Sequence, residues 1–193
     1  MLAVGSTGIH DKQDSPDADE RALAARLAAA EAQLFAAAAD RGAAATVLRP
    51  TLLYGNGRDR SLTPLAALAR RVRVLPLPAD ARGLRQPVHV DDVVAAILAA
   101  LPAAATYGRA FDLPGGETLT FDAMVRRLLR AQAPGTTLLH VPAALARRAA
   151  PLAQRLGVTG FAPGALARMA RDQVAEAGPA AAAFGYAPRK FLP

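Results

Sequence analysis

The stretch Thr46-Val47-Leu48-Arg49-Pro50-Thr51-Leu52-Leu53-Tyr54-Gly55-Asn56-Gly57 decides how the chain is read. Thr46 to Leu48 is β-branched and apolar, the composition of a buried strand. Arg49-Pro50 closes that strand, because proline has no N–H to give to a ladder. Tyr54 to Gly57 then reads as a flexible loop. Upstream, residues 19–41 are rich in Ala and Leu, with Leu23, Leu27, Leu34 and Phe35 at helical spacing and Gly42 as a stop. Pro16 in the polar stretch before it suits a helix start. Further back, Leu2-Ala3-Val4-Gly5 is a short apolar run entering Ser6-Thr7-Gly8, a second buried strand. Strand, helix and strand in that order predict an α/β layer architecture with a parallel sheet.

Downstream the alternation continues. Residues 62–71 read as a helix and 72–75 as a short strand bounded by Pro76 and Pro78. Asp91-Asp92 open a helix through Leu101, their carboxylates suiting its N-terminal dipole. Residues 109–113 form a strand, Pro114-Gly115-Gly116 a turn, and Thr120 caps a helix over 121–131. The remainder holds a strand at 138–141, helices near 142–156 and 163–175, and an irregular end from Phe184 to Phe191. The alanine runs at 103–105 and 180–183 are expected to border loops.

Composition excludes several classes. The chain has 193 residues, 52% hydrophobic, which is too apolar for a disordered tail. It contains no cysteine, so disulfides, thiolate metal sites and cysteine nucleophiles are excluded, and a reducing, cytoplasmic setting fits. Lys+Arg 23 against Asp+Glu 16 gives +7, but the arginines are scattered and aromatics are 5%, so no nucleic-acid stripe forms. No uninterrupted apolar run reaches membrane-spanning length, and no basic segment precedes the apolar start as in a secretory signal. His10, His89 and His140 lack metal-ligand spacing, so no metal is expected. His89, on an apolar strand, reads as a hydrogen-bonded core residue.

Four stretches carry a resemblance. They are Gly5-Ser6-Thr7-Gly8-Ile9-His10, the Leu48 to Gly57 segment, Arg85-Gln86-Pro87-Val88-His89-Val90-Asp91-Asp92-Val93, and Gly108 to Thr120. Phe184-Gly185-Tyr186-Ala187-Pro188 adds a closing segment. Together, and in this order, they resemble the second half of the extended short-chain dehydrogenase/reductase family, the NAD-dependent epimerases and dehydratases. The resemblance implies a partial Rossmann-like parallel sheet made of the later strands, with a small C-terminal α/β substrate-side subdomain. Residues 1–102 would belong to the Rossmann-like part and 103–193 to the subdomain interleaved with it.

The same resemblance implies roles. Thr7 would hydrogen-bond the reacting oxygen of the substrate as the catalytic hydroxyl. The backbone of Pro50, Thr51 and Leu52 would face the nicotinamide of NAD or NADP. Asn56 and Arg85 would contact a small-molecule or nucleotide-sugar-like ligand, Arg85 through a charge-assisted fork to phosphate. Helix 19–41 would pair with a second copy in a homodimer.

Two expected parts are not in the sequence. No glycine-rich phosphate loop joins a strand directly to a helix, since the helix after Gly5-Ser6-Thr7-Gly8 is expected only beyond Pro16. The family's active-site tyrosine, and the lysine four residues later, fall on Leu23 and Leu27 when the helix is anchored on Glu31. Neither leucine can move a proton. The sequence therefore suggests an NAD(P)-binding epimerase, dehydratase or reductase relative without the usual catalytic pair. The alternatives are a non-catalytic binding or assembly module, or an inactive fragment of a longer protein. If the earlier strands are missing, Leu2 to Val4 forms an unpaired sheet edge.

Overall fold

The computed structural model describes residues 1–59, 61–155 and 163–192. Its central sheet is parallel, in the order β1 (Leu2–Val4), β2 (Thr46–Pro50), β7 (Arg109–Leu113). Leu2 faces Thr46, and Thr46 faces Arg109, so the three strands start level. Among the described residues β1 pairs with β2 alone.

Register divides the sheet into two faces, because successive residues of a strand point opposite ways. Leu48 beside Phe111, followed by Leu113, makes one face. Against it pack Val93, Ala96 and Ala100 of α4 (Val90–Ala100), with Ala180 of α8 (Gly178–Phe184) and Tyr186. Phe111 sits edge-on to Phe184, with ring centroids 5.5 Å apart, and the Arg109 guanidinium lies 4.8 Å from the Phe111 ring centre. Val47 beside Ala110 and Arg49 beside Asp112 make the other face. α2 (Ala18–Ala39) crosses this second face, where Glu31 bonds Arg49.

A second core lies to one side of the sheet. β4 (Val74–Pro78) and β9 (Thr137–Val141) pair in parallel. α3 (Leu62–Ala69) and α5 (Phe121–Gln132) enclose a cluster of Leu62, Leu75, Met124, Val125, Leu128 and Phe191. Two short pairs connect the halves: β3 (Leu53–Tyr54) with β6 (Val88–His89), parallel, and β5 (Leu84–Arg85) with β8 (Leu119–Thr120), antiparallel. α6 (Ala143–Arg155) and α7 (Pro163–Met169) complete the described elements.

Local chemistry sets several boundaries as read. The Asp17 carboxylate accepts from Asp19 N at 2.9 Å and starts α2, while Gly42 at φ 62° stops it. Thr120 accepts from Ala123 N at 3.1 Å and caps α5. Other boundaries differ. A four-residue helix, α1 (Gly8–Asp11), follows the Gly5-Ser6-Thr7 turn at once, where a polar loop was expected. The cap of α4 is His89, whose Nδ1 accepts from Asp91 N, and Asp91 and Asp92 occupy its first turn. Residues 180–183 lie inside α8, because Pro179 presets φ at the first turn and alanine has the highest helix propensity. β4 runs through Pro76 and Pro78, which an edge strand tolerates. α7 ends at Met169 rather than near 175, and the expected end of helix 142–156 lies partly outside the described residues.

α2 is 22 residues long and rich in alanine. It is long and apolar enough, by length and composition alone, to cross a membrane. Arg26 and Glu31 stand in its middle, and Glu31 is buried against Arg49 of β2, so α2 is a layer of the α/β fold.

Candidate functional site

Parallel strands deliver their carboxyl ends to one rim, and here those ends are Gly5-Ser6-Thr7, Pro50-Thr51-Leu52 and Pro114-Gly115. The tips are bonded to one another. Thr7 N donates to Pro50 O at 3.2 Å, and Thr51 N to Leu113 O at 3.2 Å. Thr51 Oγ1 donates to Gln86 O at 2.5 Å, and Gly115 N to the same carbonyl at 3.1 Å. Gly115 has to be glycine: a Cβ there would stand 1.8 Å from Pro87 O. The segment 85–87 is thus held directly on the strand tips.

Thr7 is 6% exposed, and its hydroxyl donates to Asp11 Oδ2 at 3.1 Å. Burial pushes the Asp11 carboxyl up, against the Thr7 hydrogen bond and the positive fields of Arg85 and His10. The Thr51–Leu52 peptide keeps both its C=O and its N–H without a hydrogen-bond partner among the described residues. Leu52 then forms one wall of a cleft of about 250 Å³. Leu62, Leu75, Leu77, Phe121 and Met124 make the apolar floor, and Ser61, Arg85, Arg168 and Gln173 are its polar groups.

Arg85 is 3% exposed and is held by backbone oxygen. Nη1 donates to Leu84 O at 2.7 Å and to Arg171 O at 2.8 Å, and Nη2 donates to Arg168 O at 2.5 Å. The guanidinium also lies 5.3 Å from the Phe121 ring centre. No carboxylate forms an ion pair with it among the described residues, so burial pulls its pKa down to about 10, with Asp11 and Asp172 pulling back. Nε and one Nη2 hydrogen stay without a partner among the described residues.

The predicted residues do not all converge. Thr7, Pro50, Thr51, Leu52 and Arg85 lie along one continuous path from strand tip to cleft. Asn56 lies off it, exposed at φ 56° in a turn between Gly55 and Gly57, and does not line the cleft. Three contributors were missed in the sequence. Asp11 had a signal, the i+4 spacing from Thr7 across one helical turn. Arg168 and Gln173 had none, because only tertiary strapping brings them in: Gly83 N bonds Met169 O, Leu84 N bonds Asp172 Oδ1, and Gln173 N bonds Leu84 O. No group of three His, Asp or Glu side chains suited to a metal occurs among the described residues.

The four motifs and the strand order can now be set against known proteins. Residues 4–113, more than half of the chain, match the NAD dependent epimerase/dehydratase family. The chain belongs to that family. Of curated relatives, the mitochondrial NADH dehydrogenase [ubiquinone] 1 alpha subcomplex subunit 9 of Arabidopsis thaliana is 36% identical over 107 residues, 55% of this chain and 25% of the plant protein. Among solved structures, Pal from Bacillus thuringiensis superimposes with a TM-score of 0.68 at 14% identity, covering 100% of this chain and 58% of that one. RMD from Pseudomonas aeruginosa, complexed with NADPH, gives 0.65 at 16% identity, covering 97% and 60%. The UDP-glucuronic acid 4-epimerase of Bacillus cereus, in complex with NAD, gives 0.63 at 14%, covering 99% and 56%. At such identities the structures establish the fold, a Rossmann-like α/β arrangement with parallel strands. This epimerase/dehydratase family member spans a quarter of the plant relative's length and under two thirds of the structural ones.

Proposed function

We propose that the chain holds the nicotinamide end of NAD or NADP over its strand tips and a small anionic, nucleotide-sugar-like ligand in the adjoining cleft. The free C=O and N–H of the Thr51–Leu52 peptide carry this reading, since a carboxamide offers both a donor and an acceptor. When bound, the dinucleotide would supply hydride chemistry that no side chain can. The residues present fit its nicotinamide half only. The Gly5–Gly8 turn is no phosphate cradle, because the space where a Gly5 Cβ would stand is taken by Glu31 Oε1 at 2.8 Å, an anion that repels a diphosphate.

Thr7 is placed to hydrogen-bond a substrate oxygen, with Asp11 fixing its hydroxyl. The unpartnered N–H groups of Arg85 are the charge that an anionic ligand would meet in the cleft. With the helix anchored on Glu31, the dyad positions fall to Leu23 and Leu27, both half-buried, and the tyrosines offer no substitute. Tyr54 meets His89 and Phe191 edge-on, and Tyr186 donates to Pro114 O at 2.8 Å. The reading is therefore of a binding protein without turnover through a Tyr/Lys pair. Titration with NADH and NADPH, followed by cofactor fluorescence, should saturate in the millimolar range or below. No saturable binding at millimolar dinucleotide overturns the reading.

A second reading rests on the exposure of α2, whose Ala22, Ala25, Ala29, Ala32 and Ala36 all face solvent. It is of an assembly module in which this helix pairs with a second copy. Light scattering of the purified chain tests it, and a monomer at all concentrations overturns it.

A further inference from the structure

The cleft beside the strand tips has two chemically different parts. Its polar groups gather at one end. Arg85 donates to Arg168 O and pairs with Gln173 in a single parallel bridge, so three of the four polar lining residues stand together. Arg168 already forms an ion pair with Glu20, whereas no carboxylate pairs with Arg85 among the described residues. Arg85 is buried and lies 5.3 Å from the Phe121 ring centre, with Nε and one Nη2 hydrogen left for a further acceptor. The rest of the lining is apolar. Leu62, Leu75, Leu77 and Met124 are all buried there, and Pro76 and Pro78 in the same lining carry no N–H. Ser61, the fourth polar residue, is exposed.

A sugar ring suits that lining poorly. Each hydroxyl laid on it would leave water without finding a partner, and an unpaired buried hydroxyl is penalised. An alkyl chain asks for no partner. Met124 and Met169, two of the three methionines in the chain, both line the cleft, and unbranched thioethers adapt to a flexible occupant. The cleft holds about 250 Å³, and at the roughly 30 Å³ share of a water-sized group that is room for about eight carbons. We infer that the ligand is an amphipathic anion, with a phosphate or carboxylate on Arg85 and an apolar chain of about eight carbons along the leucine and methionine lining. This rests on the reading above that the cleft takes an anion, and it narrows what that anion carries. Either headgroup presents two oxygens to a guanidinium, so the lining selects the chain rather than the head.

Isothermal titration calorimetry of the purified chain with methyl, n-butyl, n-hexyl, n-octyl and n-decyl phosphate, each below its micellar concentration, tests this. Affinity should rise about fourfold per added methylene, the factor that about 0.8 kcal/mol represents, and level off beyond n-octyl. n-Octanol, the same chain without charge, should bind roughly tenfold more weakly or worse, the scale of a lost charge-assisted hydrogen bond. n-Octanoate distinguishes the heads: tighter binding than n-octyl phosphate assigns the carboxylate, weaker binding the phosphate. Met169→Trp, at a half-buried lining position, should remove most of the gain from n-hexyl to n-octyl while methyl phosphate binding and far-ultraviolet circular dichroism stay unchanged. Equal affinities for methyl and n-octyl phosphate, with uridine diphosphate still bound, overturn the amphipathic ligand and leave the anionic cleft standing. No binding of any of these anions overturns both. n-Octanol binding as tightly as n-octyl phosphate overturns the anchor on Arg85. A chain-length gain that survives in folded Met169→Trp places the chain elsewhere and overturns the assignment. The phosphate series and the n-octanol control use the unaltered chain, so they decide the matter even if Met169→Trp unfolds.

Discussion

Arg49 lies on the sheet beneath α2 and Arg85 beside the cleft, and the fold treats them in opposite ways. Arg49, on the sheet, forks onto Glu31 through Nε and Nη2, with Asp112 3.8 Å away and His10 Nε2 at 3.2 Å. Its hydrogen bonds to Glu31 outweigh burial and raise its pKa. Arg85, beside the cleft, has only carbonyl oxygens against it and its pKa falls. Arg49 ties side chain to side chain and Arg85 ties backbone, and only Arg85 is left with a charge that no carboxylate cancels. The first is an internal fastening of α2 to β2. The second is a fastening that still has electrostatic attraction to offer a ligand.

The comparison can be broken most sharply at Glu31. Glu31→Ala leaves Arg49 largely buried without its carboxylate, and removing one partner of such a pair costs about 3 kcal/mol. Chemical denaturation should show it as a lower midpoint with unchanged slope. A loss near zero would mean that Asp112 replaces Glu31 and that the two arginines are less different than their surroundings suggest. Arg85→Met is next, at about 2 kcal/mol. It removes a costly buried charge, which is favourable, but strands three carbonyls that the guanidinium satisfied. Its distinctive sign is regional, with faster hydrogen exchange in residues 165–175 and little change in β1 and β2. Asp172→Ala takes one hydrogen bond from Leu84 N and should cost about 1 kcal/mol, with the same regional pattern and smaller amplitude.

Alkaline pH sharpens the contrast by the smallest margin. Arg85 has a folded pKa near 10, below the ordinary arginine range, so above pH 10 the unfolded chain binds the extra proton and this residue makes stability rise with pH. Tyr54 and Tyr186 are shifted up by burial. Their contribution is fully present below their unfolded pKa, about 10, and is lost as pH rises beyond it. Urea midpoints between pH 8 and 11 should therefore fall more steeply in Arg85→Met than in the parent chain, and less steeply in Tyr186→Phe.

What was legible in the sequence follows the range of the interactions. β1, β2, α2, α4, β7 and α5 announce themselves through local periodicity and a cap such as Thr120, and their order suffices for a parallel α/β sheet. The nearness of Thr7 to Pro50 was readable because the two follow the consecutive strands β1 and β2, while Arg85, at the end of β5, was singled out only by the resemblance. The two-residue strands were not readable, since pairs such as Leu84–Arg85 with Leu119–Thr120 exist only through distant partners. Nor was the state of Arg85: two of its three carbonyl partners come from more than eighty residues away, and no spacing within Arg85-Gln86-Pro87 encodes them. α1 was missed because one helical turn leaves too short a pattern, although it is what brings Asp11 to Thr7.

Where Gly115 lies against the Pro87 carbonyl, two main chains touch with no side chain between them. That contact works as a fixed gauge. The offset between the strand tips and the cleft wall is set by peptide geometry, which substitution cannot lengthen or shorten. Drift in this chain can reshape the lining of the cleft residue by residue, but it cannot move the cleft.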